Sequence, residues 1–502
     1  MKGAPAILAI DQGTTGTTAM VVARDGRILA QAYSEFTQHF PRPGWVEHDA
    51  LEIWSVTRRL SREALRQAGS GADVLGLGIT NQRETVVLWD RETLDPVHPA
   101  IVWQDRRTAE ICGELRATGK EEELRARSGL LLDPYFSGTK LTWLFRSRPE
   151  LRQRAERGEL AMGTVDSWLL TRLTGGLVHA TDYTNASRTL LFNLEDRAWD
   201  PELLSLLEVP ASILPEVRPS SGILGTTLGE TLGVELPVAG MAGDQQSALF
   251  GQGCWSPGLA KNTYGTGSFL LLHTGNAPVP SSAGLLTTMA CDEGGGPAYA
   301  LEGSVFIAGA ALQWLRDGLG ILGSAGDSEA MARSLEGNEG VYFVPAFVGL
   351  GAPHWDPEAR GTLVGLTRGS SRAHLARSAL EAMAYATEEV LKAMEADSGI
   401  RARELRVDGG AAMNDWLMAF QADILGVPVR RPGMVETTAL GAAGLAGLAV
   451  GVWKTGDEFL GALGESDIFT PSLDQKGRNE LLGGWKRAVA AARAWSKWEE
   501  EP

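Results

Sequence analysis

The chain has 502 residues, with 62 Asp+Glu against 46 Lys+Arg, a formal net charge of −16, 44% hydrophobic and 22% charged residues. At roughly 100–200 residues per domain this length suggests two or three domains, and the composition excludes a disordered or fibrous chain. The acidic balance argues against a nucleic-acid binder but leaves nucleotides open, because backbone N–H groups in Gly-rich turns bind phosphate whatever the net charge.

Residues 6–10 form a short apolar run suited to a buried strand, and residues 17–23 form a second. Asp25-Gly26 is a hairpin signal leading to a third strand around residues 27–32. Asp49 is placed to cap a helix in which Ile53, Val56, Leu60 and Ala64 recur at helical spacing, and residues 74–79 read as a further buried strand. A meander, a crossover helix and another strand predict a mixed α/β domain.

The second half repeats the theme. Residues 259–263 precede the turn Tyr264-Gly265-Thr266-Gly267, which leads into the apolar run 268–272. Leu375, Ala379, Met383, Ala386 and Val390 mark a long amphipathic helix that stops at Gly399. Residues 405–407 read as a strand, Asp408-Gly409-Gly410 as a turn, and residues 414–425 as a helix ending at Gly426. The Gly/Ala-rich run 439–453 falls short of the about 20 apolar residues a bilayer needs, and predicts a closely packed buried helix. Two similar halves predict a duplicated fold with a cleft between them, divided near residues 250–257 into domains 1–250 and 251–502.

Cys112, Cys254 and Cys291 are odd in number and have no metal-ligand spacing, which argues against disulfides and zinc and fits a reducing cytoplasm. Asp11 and Gln12 interrupt the first apolar stretch too early for a secretory leader. No Walker-type Gly-x-x-x-x-Gly-Lys-Thr is present, and the seven His show no metal spacing.

Three turns carry candidate chemistry. Asp11-Gln12-Gly13-Thr14-Thr15-Gly16-Thr17 can bring backbone N–H and hydroxyl groups to phosphate oxygens, with Asp11 suited to Mg²⁺; a plain polar hairpin is the alternative. Gly265-Thr266-Gly267 offers a second such turn at a matching place, so the two could grip a triphosphate from both sides. Asp408-Gly409-Gly410-Ala411 is a third, suited to a nucleoside lying on bare backbone.

The colinear set DQGTT at the start, NQRET at 81–85, AIVWQDRRT at 100–108, AGDQQSALFGQ at 242–252, NTYGTGSF at 262–269, AGAALQWLRD at 308–317, APHWDPEARGTLVGLTRG at 352–369 and RVDGGAAMNDWLMAFQADIL at 406–425 resembles the glycerol-phosphorylating branch of the FGGY carbohydrate-kinase family. The similarity runs from about residue 5 to residue 453. It implies two duplicated ribonuclease-H-like domains of the actin/hexokinase type around an ATP cleft, the first carrying most of the polyol site and the second most of the nucleotide site. It further implies transfer of the γ-phosphoryl of ATP to the 3-hydroxyl of glycerol, giving sn-glycerol 3-phosphate, with ATP and Mg²⁺ as cofactors and a cytoplasmic homo-oligomer, dimer or tetramer, as the working form. By the same resemblance Arg83, Glu84, Trp103, Tyr135, Asp244, Gln245 and Phe269 match the polyol pocket. Thr14, Thr15, Thr266, Gly309, Gln313, Gly410 and Asn414 match the nucleotide positions, Asp11 and Asp244 the carboxylates near Mg²⁺, and Asp244 the general base.

The residues suit those roles chemically. Arg83 donates in a fork and Glu84 accepts, which fits two neighbouring hydroxyls, although a surface ion pair is the commoner meaning of such a dipeptide. Trp103, Tyr135 and Phe269 could wall in a small polyol or simply fill a core. Asp244 could accept a hydroxyl proton, cap a helix that begins Gln-Gln-Ser-Ala-Leu, or do both. Regulation of known family types is expected to be missing. Glu235 stands in the loop where bisphosphate-regulated relatives carry a cation, and no His lies between His179 and His273.

One departure stands out: where many relatives have an Arg reaching the phosphates, this chain has Thr18, with Arg24 and Lys261 as substitute cations by chain proximity. The alternatives to glycerol phosphorylation are a sister kinase for another polyol or ketose, such as erythritol or xylulose, and a weakly active nucleotide-gated sensor.

Overall fold

The three apolar runs of the first half become β1 (Ala4–Gln12), β2 (Gly16–Ala23) and β3 (Ile28–Glu35), an antiparallel meander, in the computed structural model that describes residues 3–434 and 436–496. The carboxylate of Asp49 accepts from the backbone N–H groups of Leu51 and Glu52 and starts α1 (Ala50–Ala68), which buries Ile53, Val56, Leu60 and Ala64. Such a cap is worth about 1 kcal/mol. The helix crosses over to β4 (Ala72–Asn81), parallel to β1. Two later strands, β5 (Ser221–Thr226) and β6 (Pro237–Gly243), complete a sheet in the order β5-β6-β4-β1-β2-β3. Between β4 and β5 the chain makes a largely helical excursion with its own apolar core, including helices Ser137–Ser147 and Tyr183–Ala186.

After α2 (Asp244–Gly251) the second sheet forms from β7 (Leu259–Tyr264), β8 (Ser268–Gly275), β9 (Leu286–Cys291) and β10 (Pro297–Val305), joined by β11 (Glu404–Gly409), β12 (Val429–Pro432) and β13 (Ser466–Phe469). Its order is β9-β10-β8-β7-β11-β12-β13. Around it lie α3 (Gly309–Gln313), α4 (Arg372–Ser398) with left-handed Gly399 at its C-terminus, and α5 (Asp415–Leu425), capped by Asn414 and ended by Gly426. The two sheets share one connectivity. In each, the central strand (β1 or β7) has two antiparallel neighbours on one side, then a parallel, a parallel and an antiparallel strand on the other. β9 is the one addition among the described residues. The duplication expected from the sequence is therefore present in topology.

The Gly/Ala-rich run is α6 (Thr437–Ala449), a buried helix as expected, although it ends before Trp453. It belongs to the second half in sequence but packs on β1, β4 and β6 of the first sheet and against α2. A Cβ on Gly441 would lie 1.9 Å from the carbonyl oxygen of Ser247, so α6 and α2 touch backbone to backbone and only glycine fits there. That contact fixes the helix that begins with Asp244.

Candidate active site

Parallel register brings three strand ends to one edge: Gln12 at the end of β1 pairs with Asn81 of β4, and Asn81 pairs with Gly243 of β6. The segments that follow carry Thr14 and Thr15, Arg83 and Glu84, and Asp244 and Gln245, so residues up to 231 positions apart meet where open α/β sheets bind ligands. Gly243 makes room for Arg83, since a Cβ there would sit 2.7 Å from Arg83 Cγ. Glu84 has φ +61°, a left-handed conformation that costs a non-glycine residue about 1 kcal/mol or more and is sustained by its buried partners.

Arg83 and Glu84 are not a surface ion pair. They are 3% and 1% exposed, and their mutual approach, 3.7 Å, is looser than the bonds each makes elsewhere. Arg83 Nη1 and Nη2 donate to Glu302 Oε2 and Oε1 at 2.5 and 3.0 Å, Nη1 also donates to Gln246 Oε1 at 3.2 Å, and Nε lies 3.2 Å from Asp244 Oδ1. Arg188 donates from Nε to Glu84 Oε1 at 2.7 Å and from Nη2 to Glu302 Oε1 at 2.9 Å. Burial pushes the Glu302 carboxyl up, but Arg188 and Arg83 outweigh it and hold it at about 2. For Glu84 burial wins over the two guanidiniums, and its carboxyl titrates above the usual range. Glu302 and Arg188 were not among the residues singled out by sequence. A lone Glu in the apolar stretch of β10 is a signal, because a buried charge needs a partner, but the partner is not readable from the strand itself.

Trp103 and Tyr135 meet edge to face, ring centroids 5.5 Å apart, and both are half-buried beside this network. Trp103 Nε1 donates to Thr14 Oγ1 at 2.9 Å, which ties the aromatic wall to the first Gly/Thr turn. Phe269 is half-buried on β8 and pairs with Thr263 of β7 and Ser304 of β10. Asp244 is the first residue of α2 rather than its cap, which is Gly243. Its Oδ1 accepts from Gln245 N at 2.7 Å and faces Arg83, while Oδ2 makes no hydrogen bond among the described residues; the side chain is 31% exposed. Gln245 Oε1 accepts from Lys261 Nζ at 2.5 Å. A lysine can only donate, so the Gln245 amide N–H₂ is left to face outward.

Apart from Thr14 and Thr15, which stay with the first sheet, the nucleotide candidates gather at the corresponding edge of the second sheet. In the turn between β7 and β8, the carbonyl of Thr266 accepts from the N–H groups of Ala308 and Ala310 at 2.8 and 3.0 Å, and the carbonyl of Gly265 accepts from Gly309 N at 3.0 Å. This stitches the turn to the start of α3, where Gln313 is exposed. Gly410 opens the turn after β11 and is exposed, with nothing within 4 Å of a would-be Cβ. Asn414 Oδ1 accepts from Leu417 N at 2.9 Å and caps α5, while its Nδ2 reaches Ser328 Oγ at 3.5 Å. Of the two substitute cations, Arg24 is ruled out: it lies beyond the far end of the β1–β2 hairpin and pairs with Glu458 at 2.5 Å. Lys261 is fully buried between Gln245 and Thr263. Thr18 is half-buried and pairs directly with Asp11, so the two side chains share one face.

Residues 6–251 match the N-terminal domain, and residues 260–450 the C-terminal domain, of the FGGY family of carbohydrate kinases. The chain belongs to that family. It is 57% identical over 490 residues to a protein named glycerol kinase from Deinococcus radiodurans, covering 97% of this chain and 98% of that one. Its identity to the glycerol kinase of Symbiobacterium thermophilum is 56% over 491 residues, covering 98% and 99%. The crystal structure of Plasmodium falciparum glycerol kinase with ADP superposes with a TM-score of 0.94 at 35% identity, covering 98% of both chains. A xylulose kinase from Rhodospirillum rubrum superposes with a TM-score of 0.87 at 25% identity, covering 98% of this chain and 100% of that one.

Asp11 is the electrostatic exception in the cleft. Burial first, then the charges of Asp244 and Glu436, push its carboxyl up to about 7, and no cation among the described residues offsets them. Among the described residues no three His, Cys, Asp or Glu side chains close around a metal. One or two carboxylates with an open face are the donor set that suits Mg²⁺ sharing its shell with water and phosphate. With a folded-state value above the unfolded one, the native state binds the extra proton, so this group's contribution to stability falls as pH rises from about 4 to 7. Because Asp11 keeps a solvent-facing edge, the loss is discounted to about 1–3 kcal/mol at pH 8. Urea unfolding without metal should therefore find Asp11→Asn more stable than wild type at pH 8, with the difference closing toward pH 4.

Proposed function

We propose that the chain transfers the γ-phosphoryl group of ATP to the 3-hydroxyl of glycerol, giving sn-glycerol 3-phosphate and ADP. The observation that carries this reading is the buried Arg83–Glu84 pair beside Asp244. One guanidinium, one carboxylate with an unshared oxygen and one half-exposed carboxylate stand within a small aromatic enclosure. A three-carbon triol matches that set, since its adjacent hydroxyls can accept from Arg83 and donate to Glu84 while Trp103, Tyr135 and Phe269 cover its C–H edges.

In the reaction, Asp244 Oδ2 takes the proton of the 3-hydroxyl as its oxygen attacks the γ-phosphorus. The bond to the β,γ-bridging oxygen breaks and ADP leaves with that electron pair. Arg83 holds Asp244 Oδ1 from behind, which keeps the carboxylate aimed. The Gln245 amide N–H₂, fixed by Lys261, donates into the cleft. The Gly/Thr turns at 13–15 and 265–267 supply phosphate-facing groups from both sheets, and the Gly410–Asn414 turn takes the nucleoside. Mg²⁺, which Asp11 and Asp244 would hold, supplies neutralisation of the phosphate charge. Among the described residues no helix is long and apolar enough to cross a membrane, in keeping with a cytoplasmic site of action.

A polyol panel with ATP, followed by coupled detection of ADP, tests the reading. Glycerol should give the highest kcat/KM, and an equal or higher value for erythritol, xylitol or xylulose moves the chain to the sister-kinase reading. Asp244→Asn keeps the shape but cannot take the proton, so kcat should fall on the order of 10²–10⁴-fold with nucleotide binding retained; a variant keeping more than about a tenth of wild-type kcat removes the base assignment. Thr18→Arg would place a cation beside Asp11, on the phosphate side. A charge-assisted bond there is worth roughly 1.5–3 kcal/mol, so KM for ATP should fall or kcat rise, by up to about 10- to 150-fold. A wild type silent in steady-state assays that becomes active as Thr18→Arg supports the sensor reading.

A further inference from the structure

We propose that Glu302, a carboxylate supplied by the second sheet, is a positioning residue for the polyol site: it sets the orientation of Arg83 and, through Arg188, of Glu84. This rests on the reading of Arg83 and Glu84 as the polyol-binding pair.

Glu302 lies on β10 opposite Leu271 and Leu286, and it reaches out of its own sheet to the first half of the chain. Arg83 has five N–H donors in one plane. Glu302 takes two of them end-on, Gln246 Oε1 takes one, and Nε faces Asp244. One Nη2 N–H remains without an acceptor among the described residues. The bidentate bond fixes the guanidinium plane, and that plane decides both where the remaining N–H points and how Nε meets the base. The same Oε1 receives Arg188, whose Nε holds Glu84 Oε1. Glu84 Oε2 has no donor among the described residues and is left to accept from a hydroxyl. Arg188 is stacked over Phe136 and Tyr135, with its carbon 5.3 and 5.8 Å from their ring centres, so it moves only with the aromatic wall. Donor and acceptor are thus aimed by one carboxylate that the first half does not possess. Without it two neighbouring guanidiniums would face each other in a buried space. The polyol pocket is complete only when β10 is docked.

The experiment compares wild type with Glu302→Gln and Glu302→Asp, measuring KM for glycerol, kcat, and ATP binding in the absence of glycerol. Glu302→Gln keeps the volume but offers one acceptor oxygen and turns an N–H₂ toward an arginine. KM for glycerol should rise about 10- to 100-fold, as expected when a charge-assisted pair is lost, with ATP affinity within about threefold of wild type. Glu302→Asp keeps the charge but falls one methylene short, and should give the same split at smaller size. If Glu302→Gln does not fold, the Glu302→Asp split carries the test alone. Glycerol KM and kcat within about twofold of wild type in the folded variants overturn the proposal. So does a parallel loss of glycerol and ATP affinity, which marks a merely structural role. A wild type inactive on glycerol but active on another polyol overturns the substrate reading alone, and the same variants are then scored on that polyol. A wild type silent on every polyol overturns both.

Discussion

Two arginines share one carboxylate at the seam between the halves, and most of the site is arranged around that contact. Taking Arg83, Arg188, Glu84 and Glu302 out of water costs several kcal/mol per ion before their attraction is counted, so such a cluster contributes little net stability. What it contributes is geometry. The guanidinium of Arg83 is flat and forked, and Glu302 engages it end-on, so the pair has few alternative arrangements. Further bonds cross the same seam. Gln246 Nε2 donates to Thr288 Oγ1 and to the Met289 carbonyl, and Lys261 donates to Gln245. The start of α2, with Asp244, is thereby bracketed by Arg83 on one side and the second sheet on the other. The backbone contact between Gly441 and Ser247 closes the third side.

The parts of the fold that depend on near neighbours were legible in the sequence. The β1–β2–β3 meander follows from apolar runs separated by turn residues, α1 from Asp49 and a 3.6-residue repeat, and α4 from its apolar stripe and Gly399. The helical excursion between β4 and β5 was not read. Its helices are short, and Val165–Leu173, for instance, is buried on nearly every side, so no one-sided stripe marks it. The site divides in the same way. The residues of the Gly/Thr turns declare themselves by local chemistry, and Arg83 and Glu84 stand out as a charged pair after an apolar strand. Glu302 and Arg188 acquire meaning only from each other, 114 positions apart. Chain proximity misled for Arg24, because an antiparallel hairpin carries a residue only a few places along the chain to the opposite end of the sheet.

The duplication also shows how one fold position can hold opposite electrostatics. Asp11 and Thr263 occupy equivalent places, each two residues before the glycine that opens the Gly/Thr turn of its sheet. In the parallel neighbour Asp11 faces Thr80, whereas Thr263 faces Asp408, so acid and hydroxyl have changed strands. Asp408 is answered in part within the protein: its Oδ2 accepts from Gln252 Nε2 at 2.9 Å and from Thr437 Oγ1, Oδ1 has no hydrogen-bond partner among the described residues, and the ammonium group of Lys261 lies on the same face of the sheet. Asp11 receives no such answer and is surrounded instead by Asp244 and Glu436. A fold that pairs one acid and leaves its counterpart crowded by like charge suits the cation proposed to sit beside Asp11. The separation also keeps the two tasks of the cleft apart. On the proposed reaction, donors from the second sheet would meet phosphate without an acid pushing it away, while the acids of the first sheet would receive the metal and the departing proton.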